Sequence, residues 1–560
     1  MSKFTIYQVF PRLFGNFNET NKPHGTIIEN GCGKFNSFTS KALTEIKSLG
    51  ITHIWYTGII EHATQTDYSA FGISKDATGI VKGKAGSAYA IKDYYDVDPD
   101  LAVNVGNRMK EFENLVKRTH KADMKVIIDF VPNHVARQYH SDAKPDGVVD
   151  LGANDNSNWA FSPLNNFYYL PNEPFKPTFD VDGYTEFPAK ATGNDNFTAS
   201  PSKNDWYETV KLNYGVNYQE GGSKQFEPIP DTWIKMCDIL LFWASKNIDG
   251  FRCDMAEMVP VEFWNWAISK VKNTYPDVIF IAEVYNPEAY RDYLSNGKFD
   301  YLYDKVGMYD MLRNVTSKNF PVRNITNVWQ ALGGIESQML NFLENHDEQR
   351  IGSGFFSGNG LYAQPAMIVA ATLTQAPVMI YSGQELGEQG MDNEGFSGVD
   401  GRTSIFDYWG VKSIQNWANK GKFDGKKMTE EQVELREFYK KLLNIVITEK
   451  AISNGIMYDL EFANYDNPTF NSHEQYAYFR KYNDELLLFV LNFHDKDLTT
   501  EIQFPFEAFQ YLQMEEGCVY SCIDLMDNTQ QFESFLLTSN QPLRLFVPAW
   551  KGKILKLIKQ

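Results

Sequence analysis

The chain has 560 residues, a formal charge of −18 and five cysteines. That length exceeds one ordinary core and predicts roughly two to four structural units. The acidic balance argues against nucleic acid or an anionic membrane surface as partner, since both require a basic patch, and no stretch is long and apolar enough for a membrane-spanning helix.

In chain order, the opening MSKFTIYQVFPRLF lacks the basic start, apolar run and small-residue cleavage site of a signal peptide, so a cytoplasmic protein is expected. Within it, YQVF (7–10) reads as a first strand. Leu43, Ile46 and Leu49 have helical spacing, with Thr39 or Ser40 to cap the start and Gly50 to close the end. The strand ITHIWYT (51–57) follows at once. Met109, Phe112, Leu115 and Val116 mark a second amphipathic helix, followed by KVIIDFV (125–131). Residues 135–225 break the rhythm. They are rich in Asn, Asp, Pro, Gly and aromatics and too long for a plain loop, which predicts an inserted domain.

The rhythm then resumes. Trp233, Met236, Leu240 and Ala244 mark a helix before IDGFRCD (248–254), and Phe263, Trp266, Ala267 and Val271 mark another before VIFIAE (278–283). MLNFLENHD (339–347) and PVMIY (377–381) read as later strands. Helices alternating with short, near-continuous apolar strands imply a parallel sheet covered by helices. About eight such strands favour a closed (β/α)8 TIM barrel. A helix at about 429–447 ends this part. From about 450 the pattern alternates, as in QYAYFRKYNDELLLFVLNF, with Asn483-Asp484 as a tight hairpin turn. The expected organisation is a barrel over 1–134 and 226–448, an inserted domain over 135–225, and a C-terminal antiparallel β-sandwich over 449–560.

Four of these strands end in a carboxylate: Asp129, Asp254, Glu283 and Asp347. An apolar strand that stops on an ionisable group delivers it to a wet cleft, because a buried unpaired charge is costly. Several such strands build an acidic pocket at the mouth of a barrel, where this architecture puts its chemistry. Arg252 lies two residues before Asp254 and shares its face of the strand, so it is expected to lower the pKa of that acid. Glu283 ends a very apolar strand among other acids, and both influences are expected to raise its pKa. Cys253 points to the opposite face and reads as buried packing. Cys32, Cys237, Cys518 and Cys522 complete a scattered set with neither metal-site spacing nor a disulfide framework. The 40 Phe, 31 Tyr and 11 Trp suit a protein that stacks on sugar rings, although cores account for most of them.

Together these motifs resemble the α-amylase family of glycoside hydrolases. DFVPNH (129–134), GFRCD (250–254), AEV (282–284) and NHD (345–347) are similar to its four signatures, in order. KLN (211–213) resembles the short fifth motif, YAIKDYYDVDP (89–99) the stretch after the second strand, and GQELGE (383–388) and DGRTSIFDYW (400–409) the stretch after the last. The resemblance implies a retaining α-glucan hydrolase. Such chemistry needs two carboxyl groups about 5–5.5 Å apart, one attacking the anomeric carbon and one handling the proton. By motif position Asp254 is the nucleophile, Glu283 the acid/base and Asp347 the carboxylate that stabilises the transition state. Tyr89, His134, Arg252 and His346 are implied to bind substrate, and Asp129 and Asn133 to support the site. The implied partner is an α-glucan. No cofactor is implied for the chemistry, and a structural calcium is implied at Asn133, the one ligand the sequence names.

One departure stands beside the nucleophile. Glu257 and Met258 occupy places where many α-amylases have a Lys-His pair, which puts the usual endo-acting binding mode and the calcium site in question. No β-domain precedes the first strand, which weighs against branching-enzyme, pullulanase and cyclomaltodextrin-degrading activities without excluding them. The rival readings are an α-glucan transglycosylase, a cyclomaltodextrinase or α-glucosidase on the same scaffold, and an inactive sugar-binding relative. The sequence leaves linkage, chain-length preference and oligomeric state open.

Overall fold

Eight short strands close into a parallel barrel in the computed structural model, which describes residues 3–527 and 534–560. They are β1 (Thr5–Val9), β2 (His53–Tyr56), β3 (Lys125–Phe130), β4 (Gly250–Cys253), β5 (Ile279–Ala282), β6 (Tyr301–Tyr303), β7 (Met339–Phe342) and β8 (Val378–Tyr381). Each pairs with its neighbours in sequence, and β1 closes the ring against β8 through Ile6 opposite Met379. The expected barrel is therefore present. β6 is the strand that no sequence pattern announced: three residues, Tyr-Leu-Tyr, between Asp300 and Asp304.

Alternation along the strands sorts the side chains into two cores. Ile6, Trp55, Ile127, Ile281, Leu340 and Met379 fill the lumen. Tyr7, Ile54, Val126, Phe251, Cys253 and Phe280 face outward and pack against the surrounding helices. Cys253 is fully buried in that outer layer, and all five cysteines are free. The helices begin and end for local reasons. Thr39 caps Ser40–Ser48 by accepting from the Ala42 amide, and Thr429 makes a reciprocal capping box with Gln432 at the start of Glu430–Thr448. Phe112, Leu115 and Val116 bury one face of Arg108–Lys121, and Trp233, Met236, Leu240 and Ala244 one face of Asp231–Ala244.

After β3 the chain leaves the barrel as a set of two-stranded ribbons. His134–Ala136 pairs with Thr209–Lys211, and Tyr169–Leu170 pairs with Ala189–Lys190. A small core of Leu170, Phe175, Val181, Ala189 and Ala199, joined by Ile80, supports this segment.

The C-terminal part is antiparallel, with strands β9 (Ile456–Asp459), β10 (Gln475–Tyr482), β11 (Glu485–Asn492), β12 (Leu498–Ile502), β13 (Cys518–Asp524), β14 (Phe535–Leu537), β15 (Leu543–Val547) and β16 (Gly552–Lys559). Six form one sheet in the order β9-β10-β11-β16-β13-β14, and β12 pairs with β15. Asn483-Asp484 is the two-residue turn between β10 and β11, with Asn483 at φ +50° and Tyr482 facing Glu485. The six-stranded sheet is two-sided. Tyr476, Tyr478, Leu487 and Phe489 join the barrel's outer core, while Ala477, Phe479, Leu486 and Leu488 face a second core shared with Ile502 and Val547 of the ribbon. Among the described residues no helix is long and apolar enough to cross a membrane.

Candidate active site

The four acids named from the sequence gather at the C-terminal ends of the barrel strands. Asp129 lies within β3, Asp254 and Glu283 directly follow β4 and β5, and Asp347 stands five residues beyond β7. Here the structure departs from the sequence reading, which carried the seventh strand to Asp347. A turn intervenes, in which the Asn345 side-chain oxygen accepts from the amides of Asp347 and Glu348 at 2.9 and 2.8 Å. Glu344, buried and paired with Arg350 at 2.9 Å, anchors the same turn.

Arg252 organises the acids from below. It is fully buried, and its Nη1 lies 2.8 Å from Asp254 and 3.5 Å from Asp129. Its Nη2 forms an ion pair with Glu283 Oε2 at 2.8 Å, and its Nε donates to the Tyr303 hydroxyl at 3.1 Å. One guanidinium thus touches both Asp254 and Glu283. It also lies within 6 Å of the rings of Trp55, Tyr89 and Tyr303.

The acids differ in their other partners. Asp129 accepts from Trp55 Nε1 at 3.0 Å, the Gly58 amide at 3.3 Å and the Tyr89 hydroxyl at 3.3 Å. That saturation suits holding the site together. Glu283 accepts from the Met255 amide at 2.8 Å and the Tyr285 hydroxyl at 2.5 Å. Met255, which donates that amide just past β4, itself takes a left-handed conformation (φ +42°), uncommon outside glycine. Asp254 keeps Arg252 as its hydrogen-bond partner on the side chain.

Protonation departs from one expectation. Arg252 does pull the Asp254 pKa down, but burial pushes it up more, and the charges of Glu283, Asp347 and Asp129 add to the rise. The result is a carboxyl well above the ordinary range, not below it. The adjacent arginine was visible in the sequence, whereas burial and three converging acids were not. Asp347, with 44% of its side chain exposed to the cavity, is held at about 7, first by the surrounding protein and next by Glu283. Asp129 is pushed up to about 6 by burial against the pull of Arg252.

His346 and His134 are buried and neutral. Burial holds the His346 pKa well below the ordinary value, and burial followed by the Lys211 charge pushes His134 down to about 3. Gln8 Nε2 meets His346 Nδ1 at 2.8 Å. An amide nitrogen donates, which assigns the proton to Nε2. That nitrogen lies 3.0 Å from Asp347 without an aligned hydrogen bond and is buried without another partner. The Tyr89 ring stacks on His346 at 5.0 Å.

Tyr89, His134, Asp254, Glu283 and Asp347 line one cavity of about 530 Å³. The sequence reading missed several of its walls: Trp206 and Glu208 from the inserted segment, Tyr285 and Lys305 from loops after β5 and β6, and Phe406 beyond β8. Trp206 stands 5.1 Å from the His134 ring. Tyr285 carried a signal in its place two residues after Glu283. Trp206 carried none.

Glu257 acquires a definite role. Its Oε2 accepts from the amides of Tyr285 and Asn286, both at 3.0 Å, tying the loop after Asp254 to the loop after Glu283.

The calcium implied at Asn133 does not fit the residues present. Asn133 Oδ1 accepts from the buried Lys211 ammonium at 2.6 Å, and its amide nitrogen donates to Gly193 O at 2.7 Å. Lys211 also lies 2.5 Å from Asp195. A cation already bridges the barrel and the inserted segment, and a divalent ion beside it would meet like charge. Lys211→Met is expected to lower stability by about 1–3 kcal/mol, the cost of unpaired buried polar groups, read as a lower midpoint in urea. An unchanged midpoint would show that the lysine bridges nothing of consequence.

A family model described as alpha amylase, catalytic domain, matches residues 8–444. The chain is 25% identical over 473 residues to alpha-amylase 3 of Dictyoglomus thermophilum, covering 80% of this chain and 78% of the relative. It is 27% identical over 390 residues to an alpha-amylase of Streptomyces lividans, covering 64% of this chain but only 40% of that longer protein. The structure superposes on an alpha-amylase from Geobacillus thermoleovorans, solved with acarbose, with a TM-score of 0.66. That match covers 100% of this chain and 98% of the other at 19% identity, a likeness of fold.

Proposed function

This chain belongs to the α-amylase family of glycoside hydrolases, and we propose that it cleaves α-1,4-glucosidic bonds of starch-like polymers or maltooligosaccharides with retention. The observation that carries this reading is the Arg252 guanidinium lying 2.8 Å from both Asp254 and Glu283 at the floor of one cavity. It brings together the two carboxyl groups that a double displacement needs.

In this reading Asp254 attacks the anomeric carbon as a carboxylate while Glu283 gives its proton to the departing glycosidic oxygen. The C–O bond to the leaving group breaks as the ester to Asp254 forms. Glu283 then takes a proton from water, which displaces Asp254 and restores the starting configuration. Asp347 and the His346 N–H hold hydroxyls of the reacting sugar, with Tyr89 and His134 against its ring. Asp129, Asn133 and Glu257 position these groups. The carboxylates supply the chemistry without a cofactor. The working units are the barrel (1–134 and 226–448), the insert (135–225) and the C-terminal part (449–560).

The test is turnover of soluble starch by the wild type and by Glu283→Gln, which is expected to slow hydrolysis by about 10²–10⁴, the usual worth of general acid catalysis. An unchanged rate would reject the assignment. Family relatives include cyclomaltodextrin glucanotransferases, which supports a second reading as a transglycosylase. Maltotriose separates the two: products longer than the substrate indicate transfer, and shorter products alone indicate hydrolysis.

The raised Asp254 carboxyl also sets a pH dependence. The nucleophile works ionised, so activity falls as pH drops through its elevated pKa, above the usual carboxylate range. Asp347→Asn removes one of the charges that raise it. Residual kcat/KM in that variant is expected to keep its acid limb to lower pH than the wild type. A limb that stays in place would separate Asp347 from Asp254 electrostatically.

A further inference from the structure

Away from the cavity, a buried cluster of three carboxylates has too little counter-charge, with Arg108 paired to one of them. The strands Ile60–His62 and Ile91–Val97 pair antiparallel between β2 and β3, with Ile60 opposite Val97 but Glu61 opposite Asp93. The register jump leaves Tyr94, Tyr95 and Asp96 as a bulge. Residues three apart on a regular strand face opposite sides, and the bulge folds Asp96 back beside Asp93. One oxygen each from Glu61, Asp93 and Asp96 lies within 4.8 Å of the others. The residues are 1%, 0% and 3% exposed.

Their hydrogen bonding is lopsided. Asp93 accepts from the Tyr95 amide at 2.7 Å, Ser141 Oγ at 2.6 Å and the Ala143 amide at 2.9 Å. Asp96 accepts from the Val97 amide at 2.8 Å and from Arg108 Nε at 2.8 Å. Both Glu61 oxygens are buried with no hydrogen-bond partner. Three carboxylates stand against one guanidinium, and the nearby Lys92 ammonium is engaged by Asp76 at 3.2 Å, which leaves two negative charges. Burial, followed by Asp93 and Asp96, pushes the Glu61 carboxyl up to about 9, as befits a charge without compensation. A neutral Glu61 would lose the charge and still leave its oxygens unpaired.

We propose that Glu61, Asp93 and Asp96 form a binding site for one hard divalent cation of the calcium class. An all-oxygen, carboxylate-rich donor set without His or Cys selects such an ion over zinc or copper. Calcium accepts irregular oxygen geometry, whereas magnesium demands a near-ideal octahedron and keeps its waters, which this buried site has little room to supply. The ion neutralises the two excess charges and gives the Glu61 oxygens their partner. It also fastens the strand pair to the start of the insert, because Ser141 and Ala143 already hold Asp93. The site is separate from Asn133, where Lys211 supplies the positive charge.

The experiment dialyses the whole chelator-treated protein against CaCl2, with MgCl2 as a second arm, and reads bound metal and thermal midpoint. The expected result is one calcium per chain, a midpoint raised by calcium more than by magnesium, and loss of both effects in Glu61→Gln. Glu61→Asp, which keeps the charge and retracts it by one methylene, is the second variant, expected to weaken calcium binding at least about tenfold. A wild type that retains no calcium, or variants that bind it as tightly as the wild type, would overturn the site and leave Glu61 a buried neutral acid.

Discussion

Asp254→Ala is expected to lower kcat on α-maltosyl fluoride by about 10⁴–10⁶, the scale seen when a covalent nucleophile is removed. Azide is expected to restore turnover through a product of inverted configuration. In the proposed double displacement Asp254 attacks from the face opposite the leaving group. With the carboxylate present, attack on the α-linked sugar gives a β-linked ester, and water returns the α configuration. With the side chain cut to a methyl group, azide enters the vacated space and forms the new bond from the same face. Fluoride departs, and the product is a β-glycosyl azide that no second displacement corrects. Arg252, relieved of one carboxylate partner, favours the small anion there. Chromatography of the azide product decides the matter. An α-glycosyl azide would place the attacking group elsewhere, and an unchanged kcat would remove Asp254 from the chemistry.

Most of the acids that gather at the cavity could be read from the chain because each element was local. A run of four or five apolar residues ending on an acid identifies a barrel strand and its delivered group together, as at Val278–Glu283. β6 escaped because three residues between two aspartates make no run. What could not be read was whatever depends on two distant segments meeting. Glu257 looked like a departure from a motif. Its function lies in two backbone amides of the loop after β5, and a backbone amide leaves no mark on a sequence pattern. Lys211 was recognised as part of a short motif, yet only the fold brings its ammonium to Asn133. Asp254 shows the same limit for electrostatics. Adjacency revealed the arginine that stabilises its charge, and the fold added the burial and the neighbouring acids that outweigh it. Glu61 and Asp93 are separated by a long loop and met only through an irregular register.

Arg252→Met is expected to cost about 3–5 kcal/mol of stability at neutral pH, the usual consequence of removing one partner from a buried ion pair. The shape of the side chain is nearly preserved, so the loss falls on charge. Asp254, Glu283 and Asp129 all lie within 3.5 Å of the guanidinium, and Arg252 itself is fully buried. The pH dependence distinguishes charge from packing. In the wild type the Asp129 carboxyl is already raised to about 6, and Asp254 stands well above the ordinary range, in both cases against the pull of Arg252. Without the arginine both rise further. A carboxyl raised in the folded state favours folding where it is protonated, and that stability is lost as pH climbs from the unfolded value through the folded one. The deficit of the variant is therefore expected to be smaller at pH 5, where the freed acids take up protons, than at pH 8, where they stand ionised and unpaired. Urea unfolding of both proteins at the two pH values measures this. An equal deficit at both would mean that Arg252 contributes packing among Trp55, Tyr89 and Tyr303 and that the acids are solvated independently of it. A deficit that grows with pH would identify the guanidinium as the group that lets Asp254 and Glu283 share one buried floor.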